Sequence, residues 1–545
     1  MTTTTFRTPR RVGALLALAL LAAGCQTAPG KQAWVADLGN GRYQNPILNA
    51  DYSDPDAVRV GDTYYMTASS FNSAPGLPLL QSKDMVNWTL VGHALPKLVP
   101  AAHFATPRTG AGVWAPSLRH HDGKFWIFYP DPDFGIYVVT AKDFAGPWSE
   151  PHLLLPGKGL IDPAPLWDED GKAWLIHAWA KSRAGINNVL TLRSMSPDGR
   201  RLLDSEGKVV IDGNKLPGYR TLEGPKLYKQ DGWYYVFAPA GGVEEGWQSV
   251  FRSRSIAGPY EDRIVMEQGD TVINGPHQGA WLRTPEGKDW FVHFQDRKAY
   301  GRVTHLQPMA WTDGWPLIGQ PGPKPGVGNP VTSWIKPVAG QSLAVPPTSD
   351  EFNGATLGLQ WQWHANPQAG YHSLAARPGH LRLPVLAVPE SKAYVRAAPN
   401  IVTQKLPATA FTAETRIELQ GARDGDRAGL ILNGQSYAAL GLRQQGGALQ
   451  LVYTTCTPFK PRCTESETVL LPQAPNAVSL RMVMKEGAQA QFLYSVDGKD
   501  FTPAGAPFAA TKGHWVGAQM GLYSASEAAT PSGAWLDADY FRVSR

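Results

Sequence analysis

The residues best suited to chemistry in this sequence are three acids, Asp54, Asp162 and Glu223, each at or beside a proline: Asp54-Pro55, Asp162-Pro163 and Glu223-Gly224-Pro225. A single Asp-Pro step is ordinarily a turn, because the Asp side chain bonds the nearby backbone and proline fixes φ. Three acids gathered in one place are a different matter. Like charges oppose ionisation, so clustered carboxylates raise one another's pKa. Proteins accept that cost mainly at metal sites or where a proton must be moved. One carboxylate of such a set can activate water, a second, held protonated, can give its proton away, and a third can keep the second's pKa high. A repeated architecture would gather residues so far apart in sequence at one place.

The sequence does repeat. A proline-containing motif, an apolar strand, a polar turn with glycine and an aromatic strand recur in five copies. They begin at Asp54-Pro55-Asp56, Ala115-Pro116-Ser117, Asp162-Pro163-Ala164, Glu223-Gly224-Pro225 and Gly275-Pro276-His277. The aromatic strands that follow include Tyr64-Tyr65-Met66, Phe125-Trp126-Ile127 and Trp233-Tyr234-Tyr235. Units of roughly 40–60 residues with about four strands each are β-propeller blades. An all-β fold is expected, with a five-bladed β-propeller over residues 41–320. Every blade starts its innermost strand at the same end of the central channel, so matching positions face one mouth. Those positions are aligned as Asp54, Ala115, Asp162, Glu223 and Gly275, three of them acidic. The run Gln320-Pro321-Gly322-Pro323-Lys324-Pro325-Gly326 then breaks the pattern, and residues 321–348 read as a linker. From Ser349 short alternating strands such as Phe411-Thr412-Ala413-Glu414-Thr415-Arg416-Ile417 predict a C-terminal β-sandwich over residues 349–545.

Composition agrees with this class. Among 545 residues, 56 Gly and 46 Pro accompany 19 Trp, 19 Tyr and 18 Phe, a mix suited to short strands and tight turns. Net charge is only +5, without a long Lys/Arg run beyond the N-terminus, so nucleic acid is not an expected partner. Arg7, Arg10 and Arg11 precede an apolar run from Val12 to Ala23 that ends at Ala22-Ala23-Gly24-Cys25. Residues 1–25 therefore read as an export signal of lipoprotein type. A lipid on Cys25 would be the only membrane attachment, residues 26–40 a further linker, and the protein periplasmic or on a bacterial cell surface. In an exported chain, Cys456 and Cys463, flanking a Pro-containing loop, read as a disulfide.

Together the motifs resemble family 43 glycoside hydrolases of the two-domain β-xylosidase/α-L-arabinofuranosidase type. The resemblance rests on Ser53-Asp54-Pro55-Asp56, Val113-Trp114-Ala115-Pro116-Ser117, Ile161-Asp162-Pro163, Glu223-Gly224-Pro225-Lys226-Leu227-Tyr228 and Gly301-Arg302-Val303-Thr304. It implies that Asp54 is the general base, Glu223 the general acid and Asp162 the group that tunes the acid, with inversion at the sugar. It also implies a concanavalin-like C-terminal sandwich and no required cofactor. Arg302 would bond sugar hydroxyls, and Trp114 and Phe71 would wall the sugar pocket. His277 falls where relatives have a channel histidine near calcium; calcium prefers oxygen, so His277 would reach a structural ion through water. Asp539 is a weaker candidate for calcium on the sandwich. The expected substrate is a plant cell-wall oligosaccharide derived from xylan, cut at its terminal pentose. Alternatives are an arabinofuranosidase acting on arabinan or arabinoxylan side chains, and a non-catalytic carbohydrate-binding propeller, which the presence of all three acids disfavours.

Overall fold

The computed structural model of the chain describes residues 1–2, 32–388, 395–457, 464–528 and 532–545. The signal segment with Cys25 and the cysteine Cys463 lie outside these residues. Nearly all regular structure is sheet, and the one α-helix among the described residues is the single turn Lys181–Ala184.

Blade 1 is the antiparallel meander Asp56–Val60, Thr63–Thr67, Gly76–Ser82 and Thr89–Leu95. Blades 2, 3 and 4 repeat it, with inner strands Ser117–His121, Leu160–Trp167 and Lys226–Gln230. Blade 5 takes His277–Arg283, Asp289–Asp296 and Arg302–Thr312 from the end of the repeat and its fourth strand, Leu48–Asp51, from the beginning. That borrowed strand fills the outer, fourth position of blade 5 and ties the start of the repeat to its end, closing the ring. Apolar side chains fill the seams between blades. Ala57, Tyr64 and Met66 of blade 1 pack with Ala280, Leu282 and Val292 of blade 5, and Leu79 with Leu118 and Ile127 of blade 2.

The residue before each proline fixes how the chain enters an inner strand. Asp54, Asp162, Gly224 and Gly275 all adopt left-handed backbone, with φ of 52°, 54°, 58° and 49°. Asp and Gly are among the residues that enter this region at least cost. The structural register is therefore Asp54, Ala115, Asp162, Gly224 and Gly275. This corrects the sequence alignment, which set Glu223 in that row. Glu223 stands one residue earlier, because the extra Gly224 takes the left-handed position in its blade.

The segment expected as a linker is not free of the propeller. Within residues 321–348, Ser333–Ile335 pairs with Arg42–Gln44, and Gly328 pairs with Met266 of blade 4. Lys336 reaches Asp37 and Asp84 at 2.5 and 2.9 Å. Beyond it, two sheets face each other. One includes Asp426–Asn433, Tyr437–Gln445 and Gln519–Ser526; the other includes Phe411–Gln420, Ala477–Lys485 and Trp535–Ser544. Along Phe411–Gln420 every second residue is buried, the period-two pattern of a strand with one face on a core.

Candidate active site

At the mouth of the channel, Asp54, Asp162, Glu223, Arg302, His277, Trp114 and Phe71 line one cavity of about 220 Å³. All seven residues singled out in the sequence are thus brought together. Asp54 Oδ2 accepts from the hydroxyls of Ser53 at 2.6 Å and Ser69 at 2.5 Å. Arg302 Nη1 donates to Ser53 Oγ at 3.0 Å and lies 3.3 Å from Asp54 Oδ1. Asp54 is therefore held by donors on several sides. Asp162 Oδ2 accepts from the Gly224 N–H at 2.7 Å and from Gln278 at 3.4 Å. Burial, and then the Asp54 charge, push Asp162 up despite that backbone donor. Burial, followed by the Asp162 charge, pushes Glu223 up as well, with Arg302 opposing. Of its side chain, 28% remains exposed to the cavity. The three acids are thus unequal: one is held by donors and two are raised.

His277 is fully buried, and burial, then Arg302, lower its pKa to about 3. The ring is neutral at ordinary pH, so its 3.4 Å contact from Nε2 to Glu223 is not an ion pair. Calcium takes roughly six to eight oxygen ligands. His277 offers ring nitrogens beside the cation Arg302, so direct coordination does not fit. Among the described residues no group of three or more His, Cys, Asp or Glu could hold a metal ion. Asp539 lies on the sandwich, 3.9 Å from His380.

The wall is aromatic. Phe71, at φ 49°, exchanges backbone hydrogen bonds of 2.8 and 3.0 Å with Val113, which sets it beside Trp114 at a ring separation of 6.2 Å. Trp114 donates its indole N–H to the Gly110 carbonyl at 3.0 Å.

Four residues not assigned from the sequence complete the site. Trp515 comes from the sandwich, 5.7 Å from Trp114, with its backbone left-handed at φ 67°. Asp51 accepts from the Arg302 N–H and from the sandwich Gly517 N–H, both at 2.8 Å. A Cβ on Gly517 would stand 2.6 Å from the Gly301 nitrogen, so only glycine allows this approach. Lys226, completely buried, donates to Pro116 O at 2.7 Å and Ser117 Oγ at 2.8 Å, and lies 3.5 Å from Asp56. It supplies a positive charge next to the row of acids. Gln278 shares Asp162 with Gly224. Lys226 stood in a quoted motif, and its flanking Pro was the available signal. Trp515 and Asp51 carried no repeat signal.

A five-bladed ring that gathers three acids in one sugar-sized cavity defines a carbohydrate-cleaving propeller. The sequence model of glycosyl hydrolases family 43 matches residues 43–316, and that of the beta xylosidase C-terminal concanavalin A-like domain matches residues 349–544. The chain belongs to glycosyl hydrolases family 43. It is 35% identical to a beta-xylosidase of Formosa agariphila over 93% of this chain and 90% of that one. It is 30% identical to a non-reducing end alpha-L-arabinofuranosidase of Bacteroides ovatus, over 73% and 75% of the two chains. Among solved structures, a xylan beta-1,4-xylosidase of Bacillus halodurans superposes with a TM-score of 0.79 at 26% identity, covering 92% of this chain and all of that one.

Proposed function

We propose that the chain releases terminal β-D-xylose, and α-L-arabinofuranose, from xylan-derived oligosaccharides with inversion at the anomeric carbon. Asp54 acts as general base on water, Glu223 as general acid on the leaving oxygen, and Asp162 holds the Glu223 proton. The observation that carries this reading is the division among the acids. Asp54 is surrounded by hydroxyl and guanidinium donors, while burial and a like charge hold Glu223 in its protonated range. An acid and a base of the two types needed for glycoside hydrolysis thus share one cavity. Arg302 orients Asp54 as well as the sugar. Trp114, Phe71 and Trp515 give the apolar C–H face of the ring a surface and narrow the cavity to a chain end.

The named relatives include both xylosidase and arabinofuranosidase, which supports a site serving either pentose. Export as a lipoprotein through Cys25 and a Cys456–Cys463 disulfide belong to the same reading, since the oligosaccharides come from a polymer outside the cell.

The test is hydrolysis of 4-nitrophenyl β-D-xylopyranoside beside the α-L-arabinofuranoside and unmodified xylo-oligosaccharides, with the product anomer followed by NMR. Release of α-xylose from the β-xyloside is expected. Folded protein that leaves all three substrates intact would refute the function, and first-formed β-xylose would refute inversion.

A further inference from the structure

A second cavity, of about 170 Å³, lies against the first and shares Arg302, Val243 and Trp515 with it. The propeller contributes Asp296, Lys298 and Gly301 to its walls, and the sandwich contributes Gln435 and Lys512–Val516. Its charge differs from that of the catalytic cavity. Lys298, exposed and with left-handed backbone at φ 56°, has no ion-pair partner for its ammonium among the described residues. Among the described residues the Lys512 ammonium meets one carboxylate, Glu244 at 3.3 Å, and both side chains are about half exposed. The buried Arg302 Nε has no hydrogen-bond partner among the described residues. The single carboxylate in the lining, Asp296, accepts from the Lys298 backbone N–H at 2.8 Å. Two ammonium groups and a buried guanidinium edge thus surround a small space beside an indole.

A pentose carries only hydroxyl groups and gives such cations no charge to meet. A sugar carboxylate does, because hydrogen bonds between an ionised donor and an ionised acceptor are about twice as strong as neutral ones. We propose that this cavity binds the carboxylate of a uronic-acid unit borne by the oligosaccharide whose terminal pentose occupies the catalytic cavity. The proposal rests on the pentosidase reading above and extends it to acidic xylo-oligosaccharides. Val243, Arg302 and Trp515 are common to both cavities, so a single branched substrate can fill both. Trp515 offers one sugar-stacking surface at the boundary.

The experiment compares kcat/KM on a uronic-acid-substituted xylo-oligosaccharide and on its neutral counterpart of equal length. Wild type, Lys298→Ala, Lys512→Ala, the double variant and the charge-keeping Lys298→Arg are measured at low and high salt. Exposed ion pairs are individually weak, so the double variant is expected to lose roughly tenfold on the acidic substrate. The neutral substrate should change by less than about twofold. Lys298→Arg should keep most of the acid preference, and high salt should erode it in wild type. Free glucuronic acid added to the neutral reaction distinguishes the sources of the carboxylate. Weak or absent inhibition supports a tethered uronyl group, whereas inhibition as strong as the acidic substrate's own affinity would overturn the tethered form. An unchanged ratio of acidic to neutral kcat/KM in the double variant overturns the proposal and leaves the pentosidase function standing. Failure to cleave the neutral substrate would overturn that function, and the proposal with it.

Discussion

Replacing Asp162 with Asn tests how the Glu223 proton is held. The substitution removes one negative charge but leaves an amide oxygen that can still accept from Gly224, now bonded to Asp162 Oδ2 at 2.7 Å. Gln278, the second partner at 3.4 Å, can turn its amide to suit. The perturbation therefore falls on charge more than on shape. Burial is the largest cause of the raised Glu223 pKa and the Asp162 charge the next, so the variant should lower that pKa without returning it to the ordinary carboxyl range. A like charge in a shared site is worth about one pKa unit or more, or roughly 1.4 kcal/mol. Asp162 is itself raised, so its charge is present mainly on the alkaline side, and the two carboxyls release protons as a pair. A general acid works only while protonated, so activity is lost as pH rises through the Glu223 transition. The alkaline limb of the kcat/KM profile should therefore move to lower pH by about one unit in Asp162→Asn. At a pH just above the variant's limb the loss should approach tenfold, and below pH 6 it should be smaller. The assay is a pH profile on xylobiose, whose poor leaving group makes proton donation necessary. An alkaline limb that stays in place or moves upward would refute the electrostatic account.

Other perturbations separate the remaining roles. Glu223→Gln should abolish most activity on xylobiose while sparing 4-nitrophenyl xyloside, whose leaving group needs no proton; equal losses on the two would argue against Glu223 as the acid. The same variant bears on stability. A carboxyl whose folded pKa is raised stabilises the fold below its unfolded pKa and loses that contribution as pH climbs to the folded value. Glu223→Gln should therefore raise the Tm by about 1–2 °C at pH 8, on the order of 1 kcal/mol, and leave it unchanged at pH 4, as read by calorimetry. Trp515→Ala should raise KM for the xyloside several-fold with little change in Tm, because the ring is 42% exposed and lines the cavity wall. Asp51→Ala leaves the Arg302 and Gly517 N–H groups unpaired in a buried place, which costs about 1–3 kcal/mol each; both the Tm and kcat/KM should fall.

Much of this was legible in the sequence, and the misses have physical causes. Blades show in sequence because each is the same supersecondary unit, so proline, turn glycine and aromatic strand recur at fixed offsets. The convergence of Asp54, Asp162 and Glu223 follows from that repetition. The offset of Glu223 was not legible, since it is set by φ: Gly224 and not Glu223 adopts the left-handed geometry shared with Asp54 and Asp162. Aspartate at 54 and 162 thus serves the backbone as well as the chemistry. Ring closure by Leu48–Asp51 was missed because a strand donated from before the first repeat belongs to no copy. Trp515 was missed for a related reason, since the sandwich reaches the site through a loop whose sequence reads only as polar and aromatic. The Pro/Gly-rich stretch after residue 320 carries the composition of a free linker, yet strand pairing to Arg42–Gln44 and the Lys336 ion pairs hold part of it on the propeller.

Asp51 joins these missed elements into one mechanical unit. It is the last residue of the closing strand; one of its oxygens holds the backbone of Arg302 and the other the backbone of Gly517. Arg302 in turn holds Ser53 and Asp54, and Gly517 follows the Trp515–Val516 segment that lines the cavity. The position of Asp54, the closing strand and the aromatic wall are therefore linked through a single carboxylate. Further contacts bind the domains: Ala518 N–H bonds Ala299 O at 2.7 Å, and the Ala74 and Trp363 backbones exchange bonds of 2.9 and 2.7 Å. A propeller cut off at residue 348 would lose Trp515 and the Gly517 donor together. The Asp51 oxygen that Gly517 now occupies would face water, and only the other oxygen would still hold the backbone of Arg302. The sandwich is for this reason part of the catalytic cavity, and a propeller made without it should bind the sugar weakly even where its three acids remain in place.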